Sequence, residues 1–266
     1  MDKVLKDDII DYSNKEEVLN KLSEFYDIYQ NRPVKDNDGG MKSAHLFNTW
    51  YALKQLNPKL VIESGVWKGL GTWIIEQAVP DAKIISIDVT YQHLQYKSEK
   101  AQYLERDITT YNWNVILDNY KKEDGIELDE VVVFLDDHQI FLDRLEFLSG
   151  LGIKHILYED NYPPTQGDTF SPKKILACKH YVMDYAGRRS LHRYSYESYD
   201  RFITHIDCYQ EMPPIYQLSE TRWGDPWTEI DYPTKQPLLT EADKELYPVF
   251  YSEAKDYTWI CYLGIK

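Results

Sequence analysis

The chain of 266 residues contains few cysteines, and no apolar run in it approaches the length of a membrane span. Its three cysteines, Cys178, Cys208 and Cys261, are widely spaced. This spacing fits neither a disulfide framework nor a zinc site, so we expect buried, reduced thiols. The first residues, MDKVLKDDIIDYSNKEE, have no apolar core of the kind found in a secretory signal peptide. Together these features predict a cytoplasmic protein.

Positive charge is scarce, with 30 lysines and arginines against 44 aspartates and glutamates, for a net charge of −14. An acidic surface repels phosphate backbones and anionic lipids, so we predict no nucleic-acid partner and no membrane partner. Small neutral substrates and metal cations are compatible with this charge. Tyrosine is abundant at 23 residues. Tyrosine lines binding grooves, but a cluster of it is also ordinary packing near water.

The first 58 residues are predicted to form two helices joined by a loop. Apolar residues at helical spacing predict a helix over Lys15 to Gln30, capped by Ser13 or Asn14. The glycine- and aspartate-rich stretch from Asn31 to Met41 predicts a loop. A second helix is expected from Ala44 to Leu56, ahead of Asn57-Pro58. We interpret residues 1–58 as a helical lead-in that also covers a cofactor.

From Lys59 onwards, strand patterns alternate with helix patterns. Predicted strands are LVIESG, KIISIDV, QYLERD, VVVFLDDH and KHILYED, and predicted helices are Leu70–Val79, Tyr91–Lys100, Trp113–Lys122 and Ile140–Leu148. This rhythm predicts a Rossmann-like, doubly wound, mostly parallel α/β sheet. A helix is also expected over Tyr196 to Tyr209. The segments VFYSEA and YTWICYLGI, separated by Lys255-Asp256, predict an antiparallel C-terminal hairpin that completes seven strands.

These patterns divide residues 59–266 into three parts. Residues 59–161 form the predicted cofactor half, 162–247 an elaboration on the acceptor side, and 248–266 the closing strands. The chain shows no internal repeat and no low-complexity tail.

The loop after the first predicted strand, ESGVWKGLGT (Glu63 to Thr72), is where an open parallel sheet binds its cofactor. A dinucleotide site requires G-x-G-x-x-G, so that the backbone can approach a pyrophosphate. Here the glycines are Gly65, Gly69 and Gly71, and bulky Val66-Trp67 occupies the place of the second glycine. The loop therefore argues against a nicotinamide enzyme.

The same loop resembles motif I of class I S-adenosylmethionine-dependent methyltransferases, E-x-G-x-x-x-G, with Glu63, Gly65 and Gly69 in register. The resemblance implies that Gly65 lets the backbone approach the methionine part of the cofactor. It implies that Glu63 orients the loop or the amino group of the ligand. Asp88, at the end of the second strand, would then accept the ribose hydroxyls, and Asp107 would meet the adenine amino group.

Two acidic clusters follow the fourth and fifth predicted strands: Asp136-Asp137-His138 and Glu159-Asp160-Asn161. Carboxylates this close cannot all stay ionised without a counter-charge. Oxygen ligands with one imidazole suit Mg²⁺, Mn²⁺ or Ca²⁺ better than zinc. In the alternative, one acid of each pair caps a helix and the other meets a basic residue such as Arg144.

The acidic clusters resemble those of metal-dependent small-molecule O-methyltransferases, in particular the macrolide-sugar and cephalosporin-hydroxylase-like groups, over Asp38 to about Asn161. The resemblance implies that Asp137, Glu159 and Asp160 bind the metal, and it leaves Asp136 to the cofactor side. His138 is the first candidate for the catalytic base and Asp137 the second. In the macrolide-sugar relatives two residues separate the aspartate pair from the histidine. Whether His138 is a ligand or the base therefore stays open.

Three further segments are candidates for binding. Asp36 to His45 precedes the first strand and is expected to fold over the cofactor, with Gly39-Gly40 as a hinge; His45 lines the site in one interpretation and is simply packed in the other. The loop Pro163 to Phe170 is the predicted lid over the acceptor. Arg188 to Arg201, rich in arginine and tyrosine, either binds a sugar or an anionic group or forms a solvated helix.

The sequence thus predicts an S-adenosylmethionine-dependent, divalent-metal-dependent O-methyltransferase whose acceptor is a small molecule, a sugar or a glycan residue. Two alternatives stay open: a metal-independent methyltransferase with His138 as base, and a cofactor-binding scaffold without catalysis. Neither the acceptor nor a homo-oligomeric state follows from the sequence.

Overall fold

The structure, a computed structural model, describes residues 5–6, 8–186 and 191–266. Nine strands lie within these ranges: β1 (Leu60–Ser64), β2 (Lys83–Asp88), β3 (Ala101–Glu105), β4 (Val131–Leu135), β5 (His155–Tyr158), β6 (Met183–Ala186), β7 (Leu191–Tyr194), β8 (Ile206–Glu211) and β9 (Cys261–Ile265). The helices are α1 (Lys15–Gln30), α2 (Ser43–Leu56), α3 (Leu70–Ala78), α4 (Trp113–Asp124), α5 (Phe141–Gly150), α6 (Pro172–Ala177), α7 (Tyr196–His205) and α8 (Pro248–Ser252). Among the described residues, none of these helices is long and apolar enough to cross a membrane.

Seven strands form one sheet in the order β3-β2-β1-β4-β5-β9-β8. The first five strands of the chain pair in parallel, whereas β9 runs antiparallel between β5 and β8. Strands β6 and β7 form a separate antiparallel ladder. The predicted Rossmann-like, doubly wound, seven-stranded sheet is confirmed. Its strand order reverses at β1, between β2 and β4, and this is where such sheets bind ligands.

The sheet is buried on both faces because its strands alternate between two hydrophobic clusters. Val61 of β1 packs with α1, α2 and α3, while its neighbours Leu60 and Ile62 pack with α4 and α5 on the opposite face. All five residues of β1 and all five of β4 are buried. Parallel strands covered on both sides are expected to be apolar along their whole length, as these are.

The two N-terminal helices agree with the sequence prediction. Helix α1 spans the predicted residues and begins at Asn14, whose side chain accepts a hydrogen bond from the Glu17 amide. Helix α2 begins one residue earlier than predicted, at Ser43. It lies in the interior, with every residue from Ser43 to Leu53 buried, and packs on α3. This burial brings the start of α2 to the carboxyl edge of the sheet.

The prediction of a helix over Tyr91 to Lys100 is wrong, because this segment is irregular. The Tyr91 hydroxyl lies 2.8 Å from the carbonyl oxygens of both Ser86 and Leu104, which share its single hydrogen. The amides of Gln95 and Tyr96 donate to the Lys68 carbonyl at 3.1 and 3.0 Å. The backbone groups that would form a helix are thus used to support the loop after β1.

The predicted antiparallel pair of C-terminal strands is confirmed, but one of the two strands was assigned to the wrong segment. The segment VFYSEA lies largely in helix α8, which begins at Pro248, a residue well suited to the first turn. The antiparallel neighbours of β9 are β5 and β8 instead. Strand β8 overlaps the last four residues of the helix predicted over Tyr196 to Tyr209, because the observed helix, α7, ends at His205. Its alternating burial is that of a strand, but the partner that stabilises it is more than 50 residues away in sequence.

Candidate functional site

The carboxyl ends of β1, β2, β4 and β5 meet because their ladders continue one residue past each strand. The Gly65 amide donates to the Ile87 carbonyl at 2.9 Å, and the Asp136 amide donates to the Ser64 carbonyl at 2.8 Å. The Glu159 amide donates to the Leu135 carbonyl at 3.0 Å. The glycine loop and both acidic clusters therefore lie at one edge of the sheet, as their positions in the sequence predicted.

Gly65 and Gly69 are both required by the backbone of the loop after β1. Gly65 has φ +96°, and a Cβ there would lie 1.9 Å from the Asp136 carbonyl oxygen. Gly69 has φ +92°, and a Cβ there would lie 2.1 Å from the Tyr96 carbonyl oxygen. Residues with a side chain rarely adopt such φ values, and a Cβ has no room at either position. The loop is therefore pressed between β4 and the irregular segment after β2.

Glu63 lies beneath the loop, fully buried. Its Oε2 accepts hydrogen bonds from the hydroxyls of Thr72 and Ser86. These bonds tie β1 to α3 and β2, which agrees with the loop-orienting role in the sequence interpretation. Burial raises the pKa of Glu63 to about 7, although the two hydroxyls act in the opposite direction.

The raised pKa of Glu63 predicts a stability change with pH. Between about pH 4.5 and pH 7 the folded state holds a proton on Glu63 that the unfolded state has lost. The free energy of unfolding should therefore fall as pH rises through this window, by roughly 3 kcal/mol from this group. Glu63→Gln should remove that part of the slope, measured by urea unfolding at pH 5 and pH 8. Parallel pH profiles of the free energy of unfolding in wild type and Glu63→Gln would contradict this prediction. The control is Glu123→Gln, on the exposed side of α4, which should keep the wild-type profile.

A cleft of about 450 Å³, called here the cofactor cleft, opens above the loop. It brings together four of the predicted cofactor residues: Gly65, Asp88, Asp107 and Asp136. Asp88 fastens the loop, since its Oδ2 accepts from the amides of Val66 and Trp67 at 2.9 and 3.1 Å. Glu63 and Gly69 are not among its lining residues and act by shaping the loop.

Arg144 joins two of the predicted site residues inside the cofactor cleft. It donates two hydrogen bonds to Asp107, at 3.0 and 2.6 Å, and one to Asp137 at 2.9 Å. Burial by itself raises the pKa of Asp107, but hydrogen bonds from Arg144 and Thr109 lower it to about 2. Asp137 also accepts from the Ser64 hydroxyl at 2.8 Å.

The pairing of Asp137 with Arg144 differs from the predicted ligand set. The interpretation grouped Asp137 with Glu159 and Asp160, whereas its side chain is directed to Ser64 and Arg144. The alternative, in which one acid of the pair meets Arg144, describes Asp137. The physical reason is the strand end: consecutive side chains point to opposite sides, so Asp136 and Asp137 cannot both face Asp160.

Replacing Arg144 should be costly, because two carboxylates would lose their partner in a largely buried place. We expect Arg144→Met to lower the free energy of unfolding by roughly 3–5 kcal/mol. The matched control is Arg201→Met, since Arg201 makes a two-point ion pair with Glu146 at 2.8 and 2.7 Å on the surface. That exposed pair should contribute about 1 kcal/mol or less. Equal losses in chemical denaturation would contradict the role given to Arg144.

A second cleft, of about 270 Å³ and called here the acidic cleft, lies beside the first. Asp136, His138 and Asp160 each offer one ligand atom there, and these atoms lie within 4.8 Å of one another. Asp160 is fully buried, and its Oδ1 accepts no hydrogen bond among the described residues. Burial and the neighbouring carboxylates, Glu159 first, raise the pKa values of Asp136 and Asp160. These donors fit a divalent cation of the hard, oxygen-binding class.

Glu159 lines the same cleft and is held from behind by His45. The Thr258 amide donates to His45 Nε2 at 2.9 Å, so that nitrogen is an acceptor and the proton lies on Nδ1. Nδ1 then donates to Glu159. Burial alone raises the pKa of Glu159, but His45 lowers it. His45 therefore lines the acidic cleft although it is buried, and it orients Glu159, a role that the sequence did not suggest.

His138 stands between the two clefts in a left-handed backbone conformation, with φ +51°. Its amide donates to Asp160 at 3.2 Å, and its Nδ1 lies 3.0 Å from Asp168 and 3.6 Å from Asp160. The hydrogen bond with Asp168 is the main reason that the pKa of His138 rises, to about 9. Sequence reasoning missed Asp168, although it lies in the predicted lid loop Pro163 to Phe170.

The segment before α2 lies at the mouth of both clefts, which share Gly39 and Gly40. Trp67 Nε1 donates to the Asp38 carbonyl at 2.9 Å, and Lys68 Nζ donates to the Asp36 carbonyl at 2.8 Å. These bonds tie the segment to the cofactor loop. The other predicted binding segment, Arg188 to Arg201, lies partly outside the described residues, which omit 187–190; its Arg201 pairs with Glu146, away from both clefts.

The fold is thus a Rossmann-like, doubly wound α/β sheet with two adjoining clefts at its switch point. No protein-family model and no curated protein matches the chain. Solved structures that match include the SAH-bound methyltransferase PaMTH1 of Podospora anserina, with 12% identity over 60% of this chain and 76% of that one, at a TM-score of 0.38. Another is the O-methyltransferase TomG of Streptomyces achromogenes in complex with SAM, with 12% identity over 71% and 89%, at 0.35. Likeness at this level does not assign an activity to this chain.

Proposed function

We propose that this protein is an S-adenosylmethionine-dependent O-methyltransferase that uses a divalent cation, Mg²⁺ or else Mn²⁺ or Ca²⁺, to bind its acceptor. One observation carries the proposal: the cofactor cleft and the acidic cleft adjoin, with Asp136 and His138 lining both. A methyl donor in the first cleft and a hydroxyl in the second would meet at these two residues. The helical lead-in, residues 1–58, would cover the cofactor through Gly39 and Gly40.

The cofactor cleft supports an adenosyl ligand through its loop and its acids. Gly65 lines the cleft and, at φ +96°, lets the loop turn against Asp136, and Asp88 and Asp107 offer carboxylates along the cleft. When bound, S-adenosylmethionine supplies a positively charged sulfonium from which a methyl group can be transferred. Glu63 and Gly69 maintain the conformation of the loop. Arg144 holds the Asp107 carboxylate in position and keeps it ionised.

The acidic cleft supports a cation held by Asp136, Asp160 and Glu159, with His138 as a fourth donor or as the base. The sequence interpretation counted Asp137 among the ligands; we now assign it to holding Arg144. When bound, a divalent cation lowers the pKa of an acceptor hydroxyl and fixes its orientation. His45 holds Glu159, and Asp168 orients His138. With its pKa raised to about 9, His138 can act as the base only once it has lost its own proton, which a cation bound beside it would favour.

We propose a sugar or glycan residue as the acceptor, because vicinal hydroxyls can bind a cation in pairs and the cleft is polar. A metal-independent enzyme with His138 as base is the second candidate, favoured by the His138–Asp168 contact at 3.0 Å. Methyl transfer that persists in EDTA would favour this second candidate. Transfer that stops in EDTA and returns with Mg²⁺ would favour the first.

The first test is calorimetric titration of S-adenosylmethionine into the protein, with Mg²⁺ and then with EDTA. We expect saturable binding with a Kd in the micromolar range. Binding should occur in both buffers, because most residues that line the cofactor cleft lie outside the acidic cleft. Binding in both supports the cofactor assignment independently of the metal. No binding in either buffer would overturn the proposed function and leave a sheet with acidic strand ends and no assigned ligand.

A further inference from the structure

Three basic side chains, Lys42, Arg222 and Lys255, line the acidic cleft together with its carboxylates. They come from three distant parts of the chain: the start of α2, the loop before Trp223, and the turn after α8. None of the three forms an ion pair with a carboxylate within the described ranges, and the Arg222 guanidinium lies over the Trp223 ring at 5.9 Å. Lys42 is half-buried at the cleft, and Arg222 and Lys255 are exposed at it.

Each of these cations is presented by a well-anchored segment. Lys42 precedes Ser43, whose amide donates to Glu253 at 2.9 Å, and Glu253 begins the short turn that carries Lys255. Arg222 lies in a tight turn closed by hydrogen bonds between Thr221 and Asp225 and between Gly224 and Thr221. Hydrogen bonds therefore hold the backbone close to each of the three basic residues.

The turn of Arg222 rests on a stack of aromatic rings. Trp223 lies parallel to the buried Trp259, with ring centroids 6.4 Å apart, and edge-on to Tyr162 at 6.0 Å. Because Tyr162 itself lines the acidic cleft, the stack connects Arg222 to the wall of the cleft. A guanidinium held over an aromatic ring is well oriented for a planar or tetrahedral anion.

The charges of the cleft permit an anion to enter once a cation is bound. Five carboxylates line it: Asp38, Asp136, Glu159, Asp160 and Asp256. With a divalent cation and the three basic side chains present, the cleft would carry no excess negative charge even if all five carboxylates were ionised. The cation would lie among the carboxylates of the strand ends, which leaves the basic side chains free to bind a second negatively charged group.

We propose that the acceptor carries an anionic group, a phosphate or a carboxylate, which binds between Lys42, Arg222 and Lys255 while its hydroxyl reaches the cation site. This inference rests on the proposed function, because it takes the acidic cleft as the place of the acceptor. Charge-assisted hydrogen bonds to such a group orient the acceptor as well as bind it. The arginines predicted from sequence for an anionic group, Arg188 to Arg201, are a different set.

The test uses the full chain loaded with Mg²⁺ and S-adenosylhomocysteine, titrated calorimetrically with inorganic phosphate, glucose 1-phosphate, glucuronate and glucose. We expect saturable binding of inorganic phosphate or of at least one charged sugar, roughly tenfold or more tighter than that of glucose. Glucose 1-phosphate and glucuronate distinguish a phosphate from a carboxylate. In Arg222→Gln/Lys255→Gln this preference should be lost, and Lys42→Gln should weaken it.

The matched control is Lys122→Gln/Lys154→Gln, which removes two charges beside the amino ends of the strands. It should keep the preference, whereas general attraction between charges would be weakened equally in both double variants. Retained S-adenosylhomocysteine binding in Arg222→Gln/Lys255→Gln shows that the variant is folded. Binding of S-adenosylhomocysteine without any preference for the charged probes overturns this inference alone. Failure of the wild type to bind S-adenosylhomocysteine overturns the proposed function instead.

Discussion

The Asp160→Asn variant is expected to lose roughly 10³-fold or more of the methyl-transfer rate, because it removes a buried carboxylate from the proposed cation site. The amide oxygen of asparagine can still accept the hydrogen bond from the His138 amide, which Asp160 accepts at 3.2 Å. Since Asp160 is fully buried beside Glu159, the neutral side chain should not destabilise the cation-free protein. Activity and stability should thus change independently.

The measurement pairs a methyl-transfer assay with thermal unfolding in Mg²⁺ and in EDTA. Mg²⁺ should raise the wild-type Tm, because it binds the folded state, and should leave the Tm of Asp160→Asn almost unchanged. The control is Asp143→Asn on the exposed side of α5, which should behave as wild type. An Asp160→Asn protein that still responds to Mg²⁺ and still transfers methyl groups would remove the metal from the proposed function.

The Gly65→Ala variant should lose cofactor binding and several kcal/mol of stability. A Cβ at this position would lie 1.9 Å from the Asp136 carbonyl oxygen, and the φ of +96° is unfavourable for alanine. Relief of this clash requires β1 and β4 to separate at the switch point of the sheet. We expect a loss of about 3 kcal/mol or more in free energy of unfolding, together with loss of S-adenosylmethionine binding.

Gly125 provides a matched control for the cost of placing alanine at a positive φ without a clash. It also has positive φ, +68°, at the end of α4, but a Cβ there would meet nothing within 4 Å. Gly125→Ala should therefore cost only the left-handed conformation, about 1–2 kcal/mol, and should bind S-adenosylmethionine normally. If both variants lost the same stability in urea unfolding, contact with β4 would not be the reason for glycine at position 65.

The strand ends of the cofactor half were predictable because local pattern and position in the fold agree there. A buried parallel strand is a short apolar run, and its end is marked by a polar residue or a glycine. Glu63, Asp88 and Asp136 follow such runs, so their meeting at one edge follows from the parallel arrangement alone. The helix expected over Tyr91 to Lys100 failed because its backbone groups are taken by the Lys68 carbonyl, a contact that no local pattern reveals.

The tertiary structure decides in which direction each site side chain points. Asp136 and Asp137 are adjacent in sequence, but their side chains have different neighbours. Asp136 lies near His138 and Asp160, whereas Asp137 accepts a hydrogen bond from Arg144. Likewise, the pairing of Glu159 with His45 joins residues 114 positions apart.

The sequence by itself determined the parallel sheet, the glycine loop and the acidic strand ends of this protein, because each is encoded within a few consecutive residues. The tertiary structure alone decided the partner of β9, the anchoring of Glu159 and His138, and the meeting of Lys42, Arg222 and Lys255 at one cleft. The physical reason is separation along the chain. These contacts join segments whose own patterns are satisfied equally well by several arrangements, and only packing of the whole chain selects one of them.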